Sequence, residues 1–499
     1  MHWDLVIIGS GVGGSTLASA LAPTGLKILV LERGEKLLPS PESRDDDAIF
    51  MKGHIAPTEQ WMGSDGTPFV AGNFYAVGGN TKFYGAVMYR YREKDFAPRA
   101  HMEGRAPGWP MTYDELEPWY GKAESLFRVR GISGQDSTEP SRSTPYPFPP
   151  VPDEPALAVV RQRLKNAGIH PASLPLAIDI EKWLADGQTG WDAYPNTGKG
   201  KIDAESGPLS DALEHPNVTL MTGAEVLRLE TSADGKTVAA AIVRRNGKEE
   251  RVTARAFSVA AGAIQSAALL LRSASAAHPT GLANSSDQVG RNFMNHNSSA
   301  MITIDPRLRN TSVYQKTLSF NDYYDKDPVT GYPLGNVQGL GRLTAAVLKA
   351  NVPSMPMWTA RLMSRFAFGW FLQSEDLPDP ESRVMVKDGQ IVMHWKRSNM
   401  RAHNTLIERT KQAMKKAGFP IVLVRTFGRK TTSHQCGTAR LGDDPTSSVV
   451  SLDLKAHDLD NLWITDASVL PTSAAVNPAL TVCALVLRAA PKLTAFLGR

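Results

Sequence analysis

DLVIIGSGVGGSTLASALAPTGLKILVLERG, residues 4–34, reads as strand, turn, helix and second strand. Leu5–Ile8 is a short, wholly apolar run, as a strand buried on both faces requires. Gly9 to Gly14 form a glycine turn, Ser15–Leu21 predicts a helix, Pro23–Gly25 punctuate it, and Ile28–Leu31 predicts a buried strand ending at Glu32. A lone Gly-x-Gly-x-x-Gly is weak evidence. Here Gly9, Gly11 and Gly14 follow a strand, open a helix and precede an acid 21 residues after Gly11, the context a dinucleotide-binding unit demands. Gly9 permits the turn, Gly11 lets main chain approach a pyrophosphate, and Gly14 lets helix and strand pack closely. The helix start offers free N–H groups and a positive dipole end to the anion. Glu32 can accept hydrogen bonds from ribose hydroxyls, and Gly13 and Arg33 complete the expected cofactor edge.

The chain has 499 residues, enough for two or three compact units. Its net charge of +5 is spread along the sequence without a Lys/Arg run, so a nucleic-acid partner is not expected. Cys436 and Cys483 are the only cysteines, too few for a disulfide framework or a four-thiolate zinc site, and no His-Glu-x-x-His cluster occurs, so no metal is expected. Neither a signal-peptide pattern nor a run of ~18 apolar residues stands out, and a cytoplasmic protein without a membrane partner is the expectation.

Residues 138–155 are proline-rich and read as a connector, 157–167 predict a helix, and Asp234-Gly235 reads as the turn of a hairpin between Val226–Leu229 and Val238–Val243. AFSVAAGAIQSAALLLRSA gives a strand, a small-residue turn and a helix. Residues 300–430 differ in character and predict a second, strand-rich unit. The chain then returns to nucleotide-domain style, with an apolar strand, Asp466 and a helix beginning near Pro478. The expected fold is α/β plus α+β. A Rossmann-type domain is drawn from 1–150, 185–299 and 432–499, and a sheet-based substrate domain from 151–184 and 300–431. The glycine fingerprint fits NAD or FAD; the Asp-bearing strand and Pro-started helix at the C-terminal end favour FAD.

Six stretches in order, the N-terminal fingerprint through LERG, VGGNTKFYGAVMYR, AAGAIQSAALLLRS, VGRNFMNH, HQCGTARLG and DASVLPTSAAVNPALT, resemble the glucose–methanol–choline (GMC) family of flavin oxidoreductases. The resemblance covers both ends and much of the middle, and is weakest over 300–430. It implies FAD held by the Gly78-Gly79 loop with Asn80, Thr81, Tyr84 and Gly85, by Val226 at the adenine, by Ala261 and Gly262, by Asp466, and by Asn477, Pro478 and Thr481. Some members bond flavin covalently through a histidine four residues after the double glycine; Phe83 stands there, which implies non-covalent FAD. His434, Gly437, Thr438 and Gly442 match the family's His-x-x-Gly-Thr-x-x-x-Gly setting, and Asn477, 43 residues on, matches its partner, as in choline and pyranose oxidases.

Oxidising an alcohol removes a proton from oxygen and a hydride from carbon, and FAD takes the hydride. The protein must supply a base poised near neutrality, and His434 suits that task, with Asn477 holding the oxygen. Asn477 is also the expected N-cap of a helix opened by Pro478, whose positive end would face the reduced flavin. Cys436, two residues from His434, offers a competing nucleophile, but no oxyanion loop accompanies it. His296 reads as structural, His457 as a turn residue, and His394 and His403 as packing or surface residues. The expected substrate is a small-molecule alcohol, foremost a secondary hydroxyl of a sugar or glycoside, with a primary or aryl alcohol, a non-redox lyase reaction and an NAD(P) dehydrogenase as alternatives. Oxygen or a quinone-type compound would accept the electrons. Residues 353–371, rich in Met, Trp and Phe, read as core or as an apolar wall of the pocket.

Overall fold

The computed structural model describes residues 2–187, 190–431 and 433–499; Met1, residues 188 and 189, and Thr432 at the head of the histidine motif lie outside the described residues. The opening stretch folds as strand His2–Ile8, helix Val12–Leu21 and strand Ile28–Leu31. The helix starts ahead of the expected Ser15, so Gly13 and Gly14 belong to its first turn. Close packing explains both glycines. A methyl group on Gly13 would lie 1.6 Å from the Thr465 carbonyl oxygen, and one on Gly14 2.0 Å from the Gly9 carbonyl oxygen.

Five parallel strands run in the order Val218–Met221, Ile28–Leu31, His2–Ile8, Lys248–Val259 and Leu462–Ile464. The first half of Lys248–Val259 instead pairs antiparallel with Val238–Arg245, which pairs with Glu225–Thr231 across the expected Asp234-Gly235 turn. Helix Ala263–Arg272 follows the sheet's long strand. Helix Ala479–Phe496 packs against both Val12–Leu21 and Tyr113–Leu126. By length and composition alone this last helix could cross a membrane. Its Leu480, Val482, Leu485, Val486 and Leu493 are buried in the main core, the setting of a central helix in a packed domain.

A second sheet has six antiparallel strands in the order Ile421–Thr426, Asn297–Ile304, Ala367–Ser374, Asn336–Gly339, Leu318–Phe320 and Ala172–Ser173. Side chains alternate across it. Met301, Val337, Phe368, Trp370 and Leu372 form a core with helices Pro155–Asn166 and Met400–Lys416. Gln338 and Phe371, one residue out of phase, face the first sheet instead and border the cavity between the two. A third sheet joins Arg383–Lys387 and Gln390–His394 to Gln60–Gly63 and Pro68–Val70, tying residues 60–70 to the strand-rich segment. Within 353–371, Trp358 is 69% exposed and Phe371 alone borders the cavity.

Candidate active site

A cavity of about 630 Å³ opens at the C-terminal ends of His2–Ile8, Ile28–Leu31 and Lys248–Val259, where the next strand lies to one side of His2–Ile8 and to the other side of Lys248–Val259. That is the crevice in which open parallel sheets bind ligands. Gly9, Gly11, Gly13, Glu32, Arg33, Gly79, Asn80, Thr81, Tyr84, Gly85, Val226, Ala261, Gly262, Asp466, Asn477 and Pro478 all border it. Gly14, Gly78 and Thr481 do not. Gly14 serves packing, Gly78 sits at φ +91° and donates its N–H to Ser10 Oγ at 3.0 Å, and Thr481 lies buried, 2.8 Å from the Tyr120 hydroxyl.

The cavity wall has the form a dinucleotide needs. A methyl group on Gly11 or on Gly262 would meet nothing within 4 Å, so bare main chain faces open space at both, while one on Gly79 would come 3.3 Å from Gly11 Cα. The double-glycine loop therefore crosses directly over the start of the dinucleotide helix. Glu32 accepts from Ser10 N and Gly34 N, and burial raises its carboxyl pKa despite those bonds. Asp466 accepts from Gly262 N at 2.9 Å and from Ser468 N at 2.8 Å, which pins the two loops together. Arg33 lies 3.2 Å from Glu59 and stacks over Tyr75, beside Val226 and Gln265. The residues present thus fit FAD, which Gly11, Gly79, Gly262 and Glu32 would hold.

His434 borders the same cavity, and its placement follows from strand register. Met294 and Cys436 exchange main-chain hydrogen bonds as an antiparallel bridge. Two residues away on each side, His296 and His434 fall on one face, with Nδ1 atoms 2.9 Å apart. Gly437, at φ +90°, permits the bridge, since a methyl group there would meet the Asn292 carbonyl oxygen at 2.5 Å.

The hydrogen-bond directions can be read from fixed ends. Asp136, ion-paired with Arg92 at 2.7 Å, accepts from Asn321 Nδ2; Asn321 Oδ1 accepts from Asn336 Nδ2; Asn336 Oδ1 accepts from Gln338 Nε2. Gln338 Nε2 also donates to Asn477 Oδ1 at 2.9 Å, leaving Asn477 Nδ2 to face His434 Nε2 at 3.2 Å. From the other end, the Ser473 carbonyl oxygen, 2.9 Å away, demands a proton on His296 Nε2. Neutral His296 then accepts at Nδ1 from His434 Nδ1. From these two anchors, His434 carries its proton on Nδ1, and its Nε2 is the acceptor that faces Asn477 Nδ2 at the cavity edge. Burial, then His296, then Lys316 hold the His434 pKa well below its usual value, and burial lowers that of His296. Gln373 Oε1 lies 3.0 Å from His296 Nδ1, acceptor against acceptor in this tautomer, and the contact becomes a hydrogen bond when the Nδ1 proton of His434 shifts to His296.

Two expectations change. Asn477 does not cap the last helix; the helix runs Ala479–Phe496 with Pro478 at its N-cap position, and both polar atoms of the Asn477 side chain are committed to Gln338 and His434. His296, read as structural, touches the candidate base. Lys316, Asp192, Gln338 and Gln435 also border the cavity and were not anticipated. The first three lie outside any motif; Gln435 sits inside HQCGT, where its Oε1 accepts from Ile264 N. Cys436 and Cys483 are fully buried, and burial pushes both thiols up, to about 12 for Cys483, which removes them as nucleophiles at neutral pH. His403 lies inside the second core between Ser299 and Ser374, and His457 meets Ser448.

Known proteins share this architecture. The structure matches pyridoxine 4-oxidase from Mesorbium loti with a TM-score of 0.69 at 19% identity, covering 98% of this chain and 99% of that one. It matches formate oxidase from Aspergillus oryzae RIB40 with a TM-score of 0.68 at 16% identity, covering 99% and 98%. In sequence, the chain is 29% identical to 6'''-hydroxyparomomycin C oxidase of Streptomyces lividus, over 99% of this chain and 92% of that protein. It is 28% identical to the fructose dehydrogenase large subunit of Gluconobacter japonicus, over 98% and 97%. The family models described as GMC oxidoreductase match residues 4–298 and 379–485, leaving between them Lys316 and the strands that carry Gln338 and Phe371. With the fold, the glycine cradle and most of its length in agreement, the chain belongs to the GMC oxidoreductase family.

Proposed function

We propose that this protein binds FAD without a covalent bond and oxidises a secondary hydroxyl of a sugar or glycoside, passing the electrons to oxygen or a quinone-type acceptor. The observation that carries the reading is the directed His434–Asn477 pair, which offers one proton acceptor and one donor to a single oxygen in the cavity beside the glycine cradle. Bound FAD supplies the acceptor for the hydride that leaves carbon. His434 Nε2 takes the hydroxyl proton, and Asn477 Nδ2 donates to the same oxygen and fixes the carbinol. His296 keeps the base in the correct tautomer and can share the charge it gains. Aminoglycoside and fructose activities in the names of the relatives support a polyhydroxylated substrate. Phe83 stacks on Phe74 with centroids 3.7 Å apart, an apolar contact that offers no bond-forming atom to a flavin.

The test begins with the purified holoprotein. Under anaerobic conditions, sugars or methyl glycosides are expected to bleach the flavin band, and His434→Ala, with its flavin retained, to lose about 10²–10⁴-fold in kcat/KM. Unchanged turnover in His434→Ala refutes the role. Acid precipitation is expected to release the yellow colour into the supernatant; colour in the pellet refutes non-covalent binding.

A further inference from the structure

Lys316 and Asp192 form an ion pair in the cavity wall. Lys316, 3% exposed, sets Nζ 2.8 Å from Asp192 Oδ2 and 3.0 Å from the Gly339 carbonyl oxygen. Asp192 Oδ2 also accepts from Gly341 N at 3.2 Å. Two of the three ammonium protons are thus engaged. Asp192 Oδ1 makes no hydrogen bond among the described residues.

Gly85 packs directly against this pair. A methyl group there would lie 2.9 Å from Lys316 Nζ and 2.8 Å from Asp192 Oδ1. Its backbone is not in the left-handed region, so glycine is needed at this position for space and not for conformation. Glycine here lets the main chain pack against the ion pair, and Lys316, Asp192 and Gly85 all border the cavity. The polar edge is continuous with the reacting pair: His434 meets Asn477, Asn477 meets Gln338, and the next residue, Gly339, holds Lys316. Tyr84, Leu340 and Phe371 provide apolar surface around it. An ion pair drawn into a cavity is stable only when its remaining donors and acceptors find partners. A ligand that meets His434 with one hydroxyl and supplies further hydroxyls alongside provides them; an aryl or simple alkyl alcohol does not.

We infer that Lys316 and Asp192 are a specificity-determining subsite that reads hydroxyls neighbouring the reacting one, with Asp192 Oδ1 accepting and Lys316 Nζ donating, so that the substrate is a polyol. This rests on the alcohol-oxidising reading of the His434–Asn477 pair.

The experiment compares a methyl glycoside that bleaches the flavin with its monodeoxyfluoro derivatives, each keeping the reacting hydroxyl but losing one neighbouring O–H donor. Wild-type holoenzyme is expected to turn over at least one derivative with kcat/KM roughly tenfold or more below the parent, since a site built to pair a hydroxyl rejects the analogue lacking it. In Asp192→Asn that ratio is expected to fall to within about twofold, mainly through a raised KM for the parent. Lys316→Met, read by its retained flavin band, is expected to do the same. If either variant slows parent and derivative equally, the ion pair only supports the fold and the inference fails; an unchanged ratio in both variants also overturns it. If no sugar, glycoside or alcohol bleaches the wild-type flavin, the oxidation reading itself falls and takes the subsite with it.

Discussion

A histidine becomes a base only when its lone pair points the right way. In this chain the direction is imposed from two distant anchors, the Asp136 carboxylate and the Ser473 carbonyl oxygen, and it converges on His434 Nε2. Burial and the neighbouring His296 and Lys316 depress its pKa well below the usual 6.5, which favours neutral imidazole through the neutral range. The pH profile of kcat/KM is therefore expected to be level through neutrality and to fall only on the acid side of 6.5, where imidazolium forms. A limb centred at 6.5 or higher argues for another base. His434 and Asn477 were legible in the sequence because each sits in a motif. The role of His296 was not, because it depends on Met294 lying opposite Cys436, a register between segments 138 residues apart (296 to 434) that no local pattern encodes.

Among the elements, helix Met400–Lys416 carries a second buried imidazole whose work is structural. His403 bridges Ser299 and Ser374 on adjacent strands, at 2.8 and 3.0 Å, and burial, with Arg397 nearby, pushes its pKa down to about 3. The folded state thus prefers neutral imidazole. Its contribution is fully present above 6.5, the value for an unfolded chain, and is lost as pH falls from there toward about 3. Denaturation at pH 7.5 and 5.5 is expected to show a stability loss about 1.4 kcal/mol smaller in His403→Gln than in wild type. Equal losses refute it. The strands and helices of the first unit were largely readable, since buried parallel strands announce themselves as apolar runs such as Ile28–Leu31. The helix start at Val12 was missed because Gly13 and Gly14 weaken helix propensity locally, and the demand for Gly13 comes from Thr465, far away in sequence.

For the molecule as a whole, the cavity is bounded by both sheets and by segments from residue 8 to residue 482. FAD filling it bridges parts of the chain that otherwise meet across open space. Removing the flavin is expected to lower the melting temperature, and restoring FAD at a hundredfold excess over its Kd to return about 2.7 kcal/mol; coincident melts of the two forms refute this bridging. The region between the two family matches, residues 299–378, was the least readable part, and it supplies the six-stranded sheet's cavity face. Its wall is written in single polar residues, Lys316 in the turn before Leu318–Phe320 and Gln338 on a strand whose remaining pattern serves the core behind it. The close seat of Gly13 on the Thr465 carbonyl has a consequence for the order of synthesis. At roughly 5–20 residues per second, the dinucleotide helix leaves the ribosome tens of seconds before the surface it rests on. Cofactor capture belongs to the end of translation, and a nascent chain stalled short of residue 465 carries the whole glycine motif and still lacks its seat.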